Sequence, residues 1–145
     1  MTVEIAPFAP ARHLEDWNAF VAASRNGTFL FDRGYMDYHA DRFRDASLVI
    51  CAGGRILALF PASVDGGTVT SHGGLTYGGI VLGERARCGD VLAWTEALLA
   101  RLAAHGAKRL VYKTVPTIYH RLPAEEDRYA LFRLGARLVR RDVLS

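Results

Sequence analysis

Long apolar runs are absent from this 145-residue chain, and with them any segment able to span a membrane as a helix. Cysteine is scarce. Cys51 ends an apolar run and Cys88 lies in a polar loop; neither has a second Cys or a His at ligand spacing, so both read as free thiols. His13, His39, His72, His105 and His120 show no pair at metal spacing, so no metal is expected. No Gly-x-Ser-x-Gly segment occurs, which argues against hydrolase chemistry. The excess of positive charge is slight, 18 Lys and Arg against 15 Asp and Glu. Its densest patch, Arg137, Arg140 and Arg141, is interleaved with Leu138 and Val139, the pattern of a half-wet strand, so neither nucleic acid nor membrane is an expected partner. Repeats, low-complexity tracts and linkers are missing too, which predicts one domain over 1–145. Met1 to Ile5 lack the basic start and apolar stretch of a secretory leader, so a cytoplasmic location is expected.

What is present is periodic. Leu14, Trp17, Phe20 and Val21 recur at helical spacing, predicting an amphipathic helix over 12–24 that Asn26-Gly27 stops. Asp32 is placed to cap a second helix with Tyr35, Met36, His39 and Phe43 on one side, His39 as a core-edge histidine. Residues 46–52 and 55–63 read as two strands joined by a Gly53-Gly54 hairpin turn. Thr68 to Thr70 and Ile80 to Leu82 add short strands, and Asp90 is placed to cap a helix to about residue 104. Arg109 to Tyr112 read as a compact strand. Pro123 opens a helix with Glu125, Glu126 and Asp127 in its first turn, Gly135 ends it, and 136–144 read as a last strand. The order implies an α/β fold of α+β character, with a mixed, largely antiparallel sheet flanked by helices.

Two stretches are chemically unusual. Ser71-His72-Gly73-Gly74-Leu75-Thr76-Tyr77-Gly78-Gly79 places four glycines among polar side chains where a plain strand would serve. Glycine lets backbone approach a ligand closely, and the interleaved His, Thr and Tyr supply donors and acceptors. Tyr112-Lys113-Thr114-Val115-Pro116-Thr117-Ile118-Tyr119-His120 is the second. Together they read as opposite walls of one site, with Lys113 emerging at the carboxyl end of its strand, where open α/β sheets bind ligands.

The element order, with Tyr129-Ala130-Leu131-Phe132-Arg133-Leu134-Gly135-Ala136 before the last strand, resembles the GNAT superfamily of N-acetyltransferases. Asn26-Gly27-Thr28-Phe29-Leu30, Tyr35-Met36-Asp37-Tyr38-His39 and the two unusual stretches are similar to the Fem-type, double-GNAT branch, specifically its N-terminal domain. The resemblance implies transfer of an acyl or aminoacyl group to an amine acceptor, a small molecule or a peptide, with acetyl-CoA or another acyl-CoA as co-substrate and no permanently bound cofactor. It also implies a second GNAT-like domain or a homodimer as the setting. In the superfamily, a Gln/Arg-x-x-Gly-x-Gly/Ala loop opening a helix holds the acyl-CoA pyrophosphate on backbone amides. The corresponding stretch here, Gly83 to Asp90, retains Arg85 and Gly89 as candidate contacts but has Cys88 and Asp90 at the small-residue positions.

The expected chemistry is direct attack without a covalent enzyme intermediate. His72, left accessible by its glycine neighbours, is the candidate base and Tyr77 the candidate acid. Ser71, Gly73, Gly74, Thr76, Lys113, Tyr119 and His120 are the candidate substrate contacts. A second reading stays open: a catalytically silent GNAT-fold domain that binds the acceptor or packs against a partner.

Overall fold

The computed structural model describes residues 2–38 and 40–143. In chain order its elements are β1 (Glu4–Pro7), α1 (Pro10–Ala23), α2 (Arg33–Asp37), β2 (Arg44–Asp45), β3 (Leu48–Ala52), β4 (Arg55–Phe60), β5 (Ser63–Asp65), β6 (Thr68–Thr70), β7 (Val81–Leu82), α3 (Cys88–Ala104), β8 (Arg109–Val111) and α4 (Glu126–Arg133). Short 3-10 turns lie at Phe29–Phe31 and Thr117–Tyr119.

The expected hairpin is the organising unit. Gly53 and Gly54 turn at φ 55° and 77° and join β3 to β4 antiparallel, with Val49 opposite Leu59. Successive residues of these strands feed opposite layers. Ile50, Ala58, Phe60 and Leu82 pack under α3 and α4 with Val91, Trp94, Leu98 and Ala130, while Val49, Leu59 and Val81 pack with Trp17, Val21 and Phe31 on the α1 side. Both faces of the sheet are therefore covered, which is why these strands read as nearly continuous apolar runs.

Hydrogen bonding divides the strands into two four-stranded sheets, β1-β3-β4-β7 and β2-β5-β6-β8. Among the described residues only the β6–β8 pair is parallel. The division falls where Pro61, which has no N–H to give, follows β4, and where the Ser47 hydroxyl takes the Ala62 N–H at 3.1 Å. The result is the mixed α+β fold that the element order implied.

Several boundaries differ from the sequence reading. β1 was not anticipated; it adds to the outer edge of β3 with Ile5 opposite Ile50. The second helix ends at Asp37, so Phe43 lies beyond it, and His39 lies outside the described residues. Asp90 is not the cap of α3: the helix begins at Cys88, and the Asp90 carboxylate reaches back to the Arg87 N–H at 3.3 Å. α4 begins at Glu126 rather than at Pro123. The last strand is absent: residues 136–143 carry no ladder and are exposed, and Leu144 lies outside the described residues. An alternating pattern makes a strand only when a neighbouring strand takes its backbone groups, and among the described residues no strand pairs with 136–143.

Candidate functional site

β6 and β7 are two pieces of one interrupted strand. Thr70 faces Ser63 and Val81 faces Leu59, partners four positions apart on one strand and eleven apart on the other. Seven residues are therefore looped out of the line, and they belong to the glycine-rich stretch. The neck of the excursion is closed by backbone alone: a methyl group on Gly78 would lie 1.7 Å from the Ser71 carbonyl oxygen. Gly79 has φ +101°, and a side chain there would meet the Tyr112 hydroxyl at 2.8 Å. Both positions require glycine, one for space and one for space and conformation.

Inside the excursion each residue has a distinct setting. Leu75 is buried and plugs into the α1-side core near Val115. Phe43 packs on Gly73 and Gly74, and the Gly73 N–H donates to Ser63 Oγ at 2.9 Å. His72 is not accessible as expected; it is 4% exposed, with its ring 5.8 Å from that of Phe43. Its Nδ1 accepts the Gly74 N–H at 3.2 Å, which places the proton of the neutral imidazole on Nε2. So held, the ring has its Nδ1 engaged inside the excursion. Thr76 is exposed and Tyr77 half-buried.

The two unusual stretches do meet. Ser71 N–H donates to the Val111 carbonyl, and Ser71 Oγ accepts the Lys113 N–H at 2.8 Å, extending the parallel ladder by a side chain. Lys113 Nζ donates to the Leu75 carbonyl, so the ammonium ties the excursion's tip to the end of β8. Burial of this amine lowers its pKa below the ordinary lysine value. Tyr77 stacks on Tyr119 with ring centres 5.5 Å apart and donates its hydroxyl to Thr28 Oγ1 at 2.9 Å. His120 turns away, with Nε2 3.1 Å from the Val115 carbonyl. Beyond Phe43 and Gly73 a groove of about 730 Å³ runs over β5 and β6, lined by Arg42, Arg44, Ser63, Thr68 and Thr70.

Arg85 and Gly89 take no part in this cluster; both are exposed where the chain enters α3. The residues that dominate that end escaped the sequence reading. Asn26 acts as a strand partner for β7, its amide donating to the Ile80 carbonyl at 2.9 Å and its carbonyl accepting the Leu82 N–H at 2.8 Å. Arg25 adds its own N–H to the Leu82 carbonyl at 2.8 Å. Its guanidinium then bonds the carbonyls of Gly83 (3.1 Å), Ala86 (3.2 Å) and Pro123 (2.9 Å) and the Glu126 carboxylate (2.8 Å). Behind them, the Tyr112 hydroxyl accepts the Ile80 N–H at 2.7 Å and donates to Asp127 Oδ2 at 2.8 Å. Burial first, then the Asp127 charge, pushes the Tyr112 pKa well up, and burial raises that of Asp127. The one sequence signal for this region, Asn26-Gly27, is also the ordinary signal for a helix stop.

The fold is the one found in solved N-acetyltransferases of the GNAT type. Solved structures across the whole chain share it: the aminoglycoside N-acetyltransferase AAC(6')-Iy, in complex with a bisubstrate analogue of CoA and acetylneamine, matches at TM-score 0.64 and 17% identity, over 100% of this chain and 97% of its own. A ribosomal-protein-alanine N-acetyltransferase from Brucella melitensis biovar Abortus 2308 matches at TM-score 0.65 and 15% identity, over 100% and 99% of the two chains. A glucosamine-6-phosphate N-acetyltransferase from Arabidopsis thaliana matches at 0.58 and 12%, over 100% and 98%. No protein-family model and no curated protein matches the chain.

Proposed function

We propose that this chain is a GNAT-type N-acyltransferase domain that holds an amine acceptor, a small molecule or a peptide, for transfer of an acyl or aminoacyl group. In this reading it corresponds to the N-terminal half of a Fem-type protein, works in the cytoplasm, and is completed by a second GNAT-like domain or a second copy. One observation carries the reading: the glycine-rich excursion leaves the strand at the carboxyl end of the parallel pair β6 and β8, and is tied there to Lys113 and Tyr119. Carboxyl ends of parallel strands are where α/β sheets hold ligands. Neighbours of this fold include proteins named for aminoglycoside, ribosomal-protein alanine and glucosamine-6-phosphate acetylation, so one framework serves acceptors sharing little besides an amine.

In the proposed reaction the acceptor nitrogen attacks the acyl carbonyl of a thioester or ester donor. The new C–N bond forms as the C–S or C–O bond breaks, and the nitrogen's proton is lost while the leaving group gains one. Tyr77 is the proposed proton donor. Lys113, Tyr119, Ser71, Gly73, Gly74 and Thr76 position the acceptor, with His120 and His72 fixing the walls, His72 as a hydrogen-bond donor. The groove over β5 and β6 offers Arg42 and Arg44, the hydroxyls of Ser63, Thr68 and Thr70 and the Asp65 carboxylate, a set that suits a polar acceptor bearing both an amine and an anionic group.

Titration of ¹⁵N-labelled chain with neamine, glucosamine-6-phosphate and a peptide with a free N-terminal alanine tests this. Amide shifts are expected at Gly73, Thr76, Lys113 and Tyr119 with at least one; none with any of them at millimolar concentration overturns the reading. The silent alternative is favoured by the filling of the β7 edge by Arg25 and Asn26. Tyr77→Phe separates the two in an active assembly: a proton donor's loss lowers kcat about 100-fold, whereas a purely binding domain changes KM alone.

A further inference from the structure

We infer that the crevice between β7 and the start of α4 is a cation site occupied by the chain's own Arg25, and that it does not receive the diphosphate of an acyl-CoA. A loop that binds phosphate turns N–H groups inward. This one turns oxygens inward: the carbonyls of Gly83, Ala86 and Pro123 and Glu126 Oε1 all accept from the Arg25 guanidinium at 2.8–3.2 Å. Glu126 Oε2 is buried beside them without a hydrogen-bond partner, so the pocket carries more acceptors than even a guanidinium satisfies. Asp90 adds a carboxylate to the first turn of α3, where the helix dipole would otherwise draw an anion. The free edge of β7 is closed as well, because Asn26 and the Arg25 N–H take the Ile80 carbonyl and both backbone groups of Leu82. Arg25 is locked from behind: its carbonyl accepts the Arg121 N–H at 2.7 Å, and the Arg121 guanidinium bonds the Ala22 and Ala23 carbonyls at the end of α1.

A diphosphate entering here would have to expel the guanidinium and then face the carbonyls of Gly83, Ala86 and Pro123 and the Glu126 carboxylate. The consequence, which rests on the acyltransferase reading, is that the acyl donor is presented by another domain or subunit.

The test uses the intact chain and CoA. Titration of ¹⁵N-labelled wild type with CoA to millimolar concentration is expected to give no saturable shifts at 83–90; saturable one-to-one binding with shifts there overturns the inference. That readout is separate from the acceptor titration, which reports at 71–79 and 113–120, so either result can fail alone. Arg25→Ala extends the test. Millimolar methylguanidinium is expected to raise its melting temperature while leaving wild type unmoved, and CoA to raise neither. Stabilisation of Arg25→Ala by CoA, with none by methylguanidinium, would mark the pocket as an anion site and sink the proposal. If Arg25→Ala does not fold, Arg25→Lys is the substitute, and the wild-type titration decides by itself.

Discussion

The two ends of the interrupted strand meet the same difficulty and resolve it with different residues. Wherever a strand runs on without a paired neighbour, backbone N–H and C=O groups lack partners and must find others. At the β7 end the chain closes the gap permanently with Arg25, Asn26 and Tyr112, all carrying bonds to main-chain atoms of 80–86. At the β6 end it uses the small Ser71 hydroxyl and the Lys113 ammonium, and leaves Thr76 exposed and Tyr77 and Lys113 half-buried. The first arrangement has filled its crevice with the Arg25 guanidinium and leaves only an acceptor, Glu126 Oε2, unpaired. The second keeps a polar, glycine-lined surface at the mouth of the sheet, so access is decided by which side chains satisfy the unpaired backbone groups.

The neck of the excursion is the most sensitive point. Gly78→Ala puts a methyl group against the Ser71 carbonyl oxygen, where only backbone can give way. Urea denaturation should show a loss of about 3 kcal/mol or more, with the excursion's amides shifting together. A loss below about 1 kcal/mol would mean that the neck is open and the excursion is not held as one unit.

The latch comes next. Arg25→Ala strands Glu126 and three carbonyls, and removal of one member of such a pair should cost about 3 kcal/mol; the partners are 11% and 20% exposed, which keeps the figure at the low end of that class. Tyr112→Phe should cost about 2 kcal/mol, because the Ile80 N–H and the Asp127 carboxylate each lose the hydroxyl between them. If Tyr112→Phe instead proves neutral while Arg25→Ala does not, the β7 end is closed by the latch alone.

Local chemistry in this chain was readable and distant pairing was not. Gly53-Gly54, the Asp32 cap, whose side chain takes the Gly34 N–H, and the α3 stripe of Val91, Trp94 and Leu98 each depend on neighbours a few residues away, and all stand as read. The stretches 71–79 and 112–120, which read as opposite walls around a ligand, touch each other directly through Ser71 and Lys113 and through Tyr77 and Tyr119. Residues 136–143 alternate like a strand but lack a neighbour to complete the ladder, and β1 exists only because the edge of β3 receives it. The burial of His72 depends on Phe43, twenty-nine positions away, and the role of Arg25 depends on carbonyls at 83, 86 and 123. No periodicity encodes such contacts. They follow from a register set elsewhere.

The smallest effect concerns Asp127 and sharpens what closure costs the β7 end. Its carboxyl is buried, and desolvation raises its pKa above the ordinary 3.8, against the opposing influence of the Tyr112 and Arg128 hydrogen bonds. The folded state therefore holds this proton more tightly than the unfolded chain does. The stability so gained is fully present below the unfolded value and is lost as pH rises through the native one. Asp127→Asn removes the titration while keeping an acceptor for the Tyr112 hydroxyl. Wild type should therefore gain stability relative to Asp127→Asn as pH falls from neutrality towards 4, followed by thermal melts at matched ionic strength. A difference that stays flat, or that shrinks on acidification, would place a compensating charge beside Asp127 and make the β7 end less dry than the Tyr112 and Arg25 contacts require.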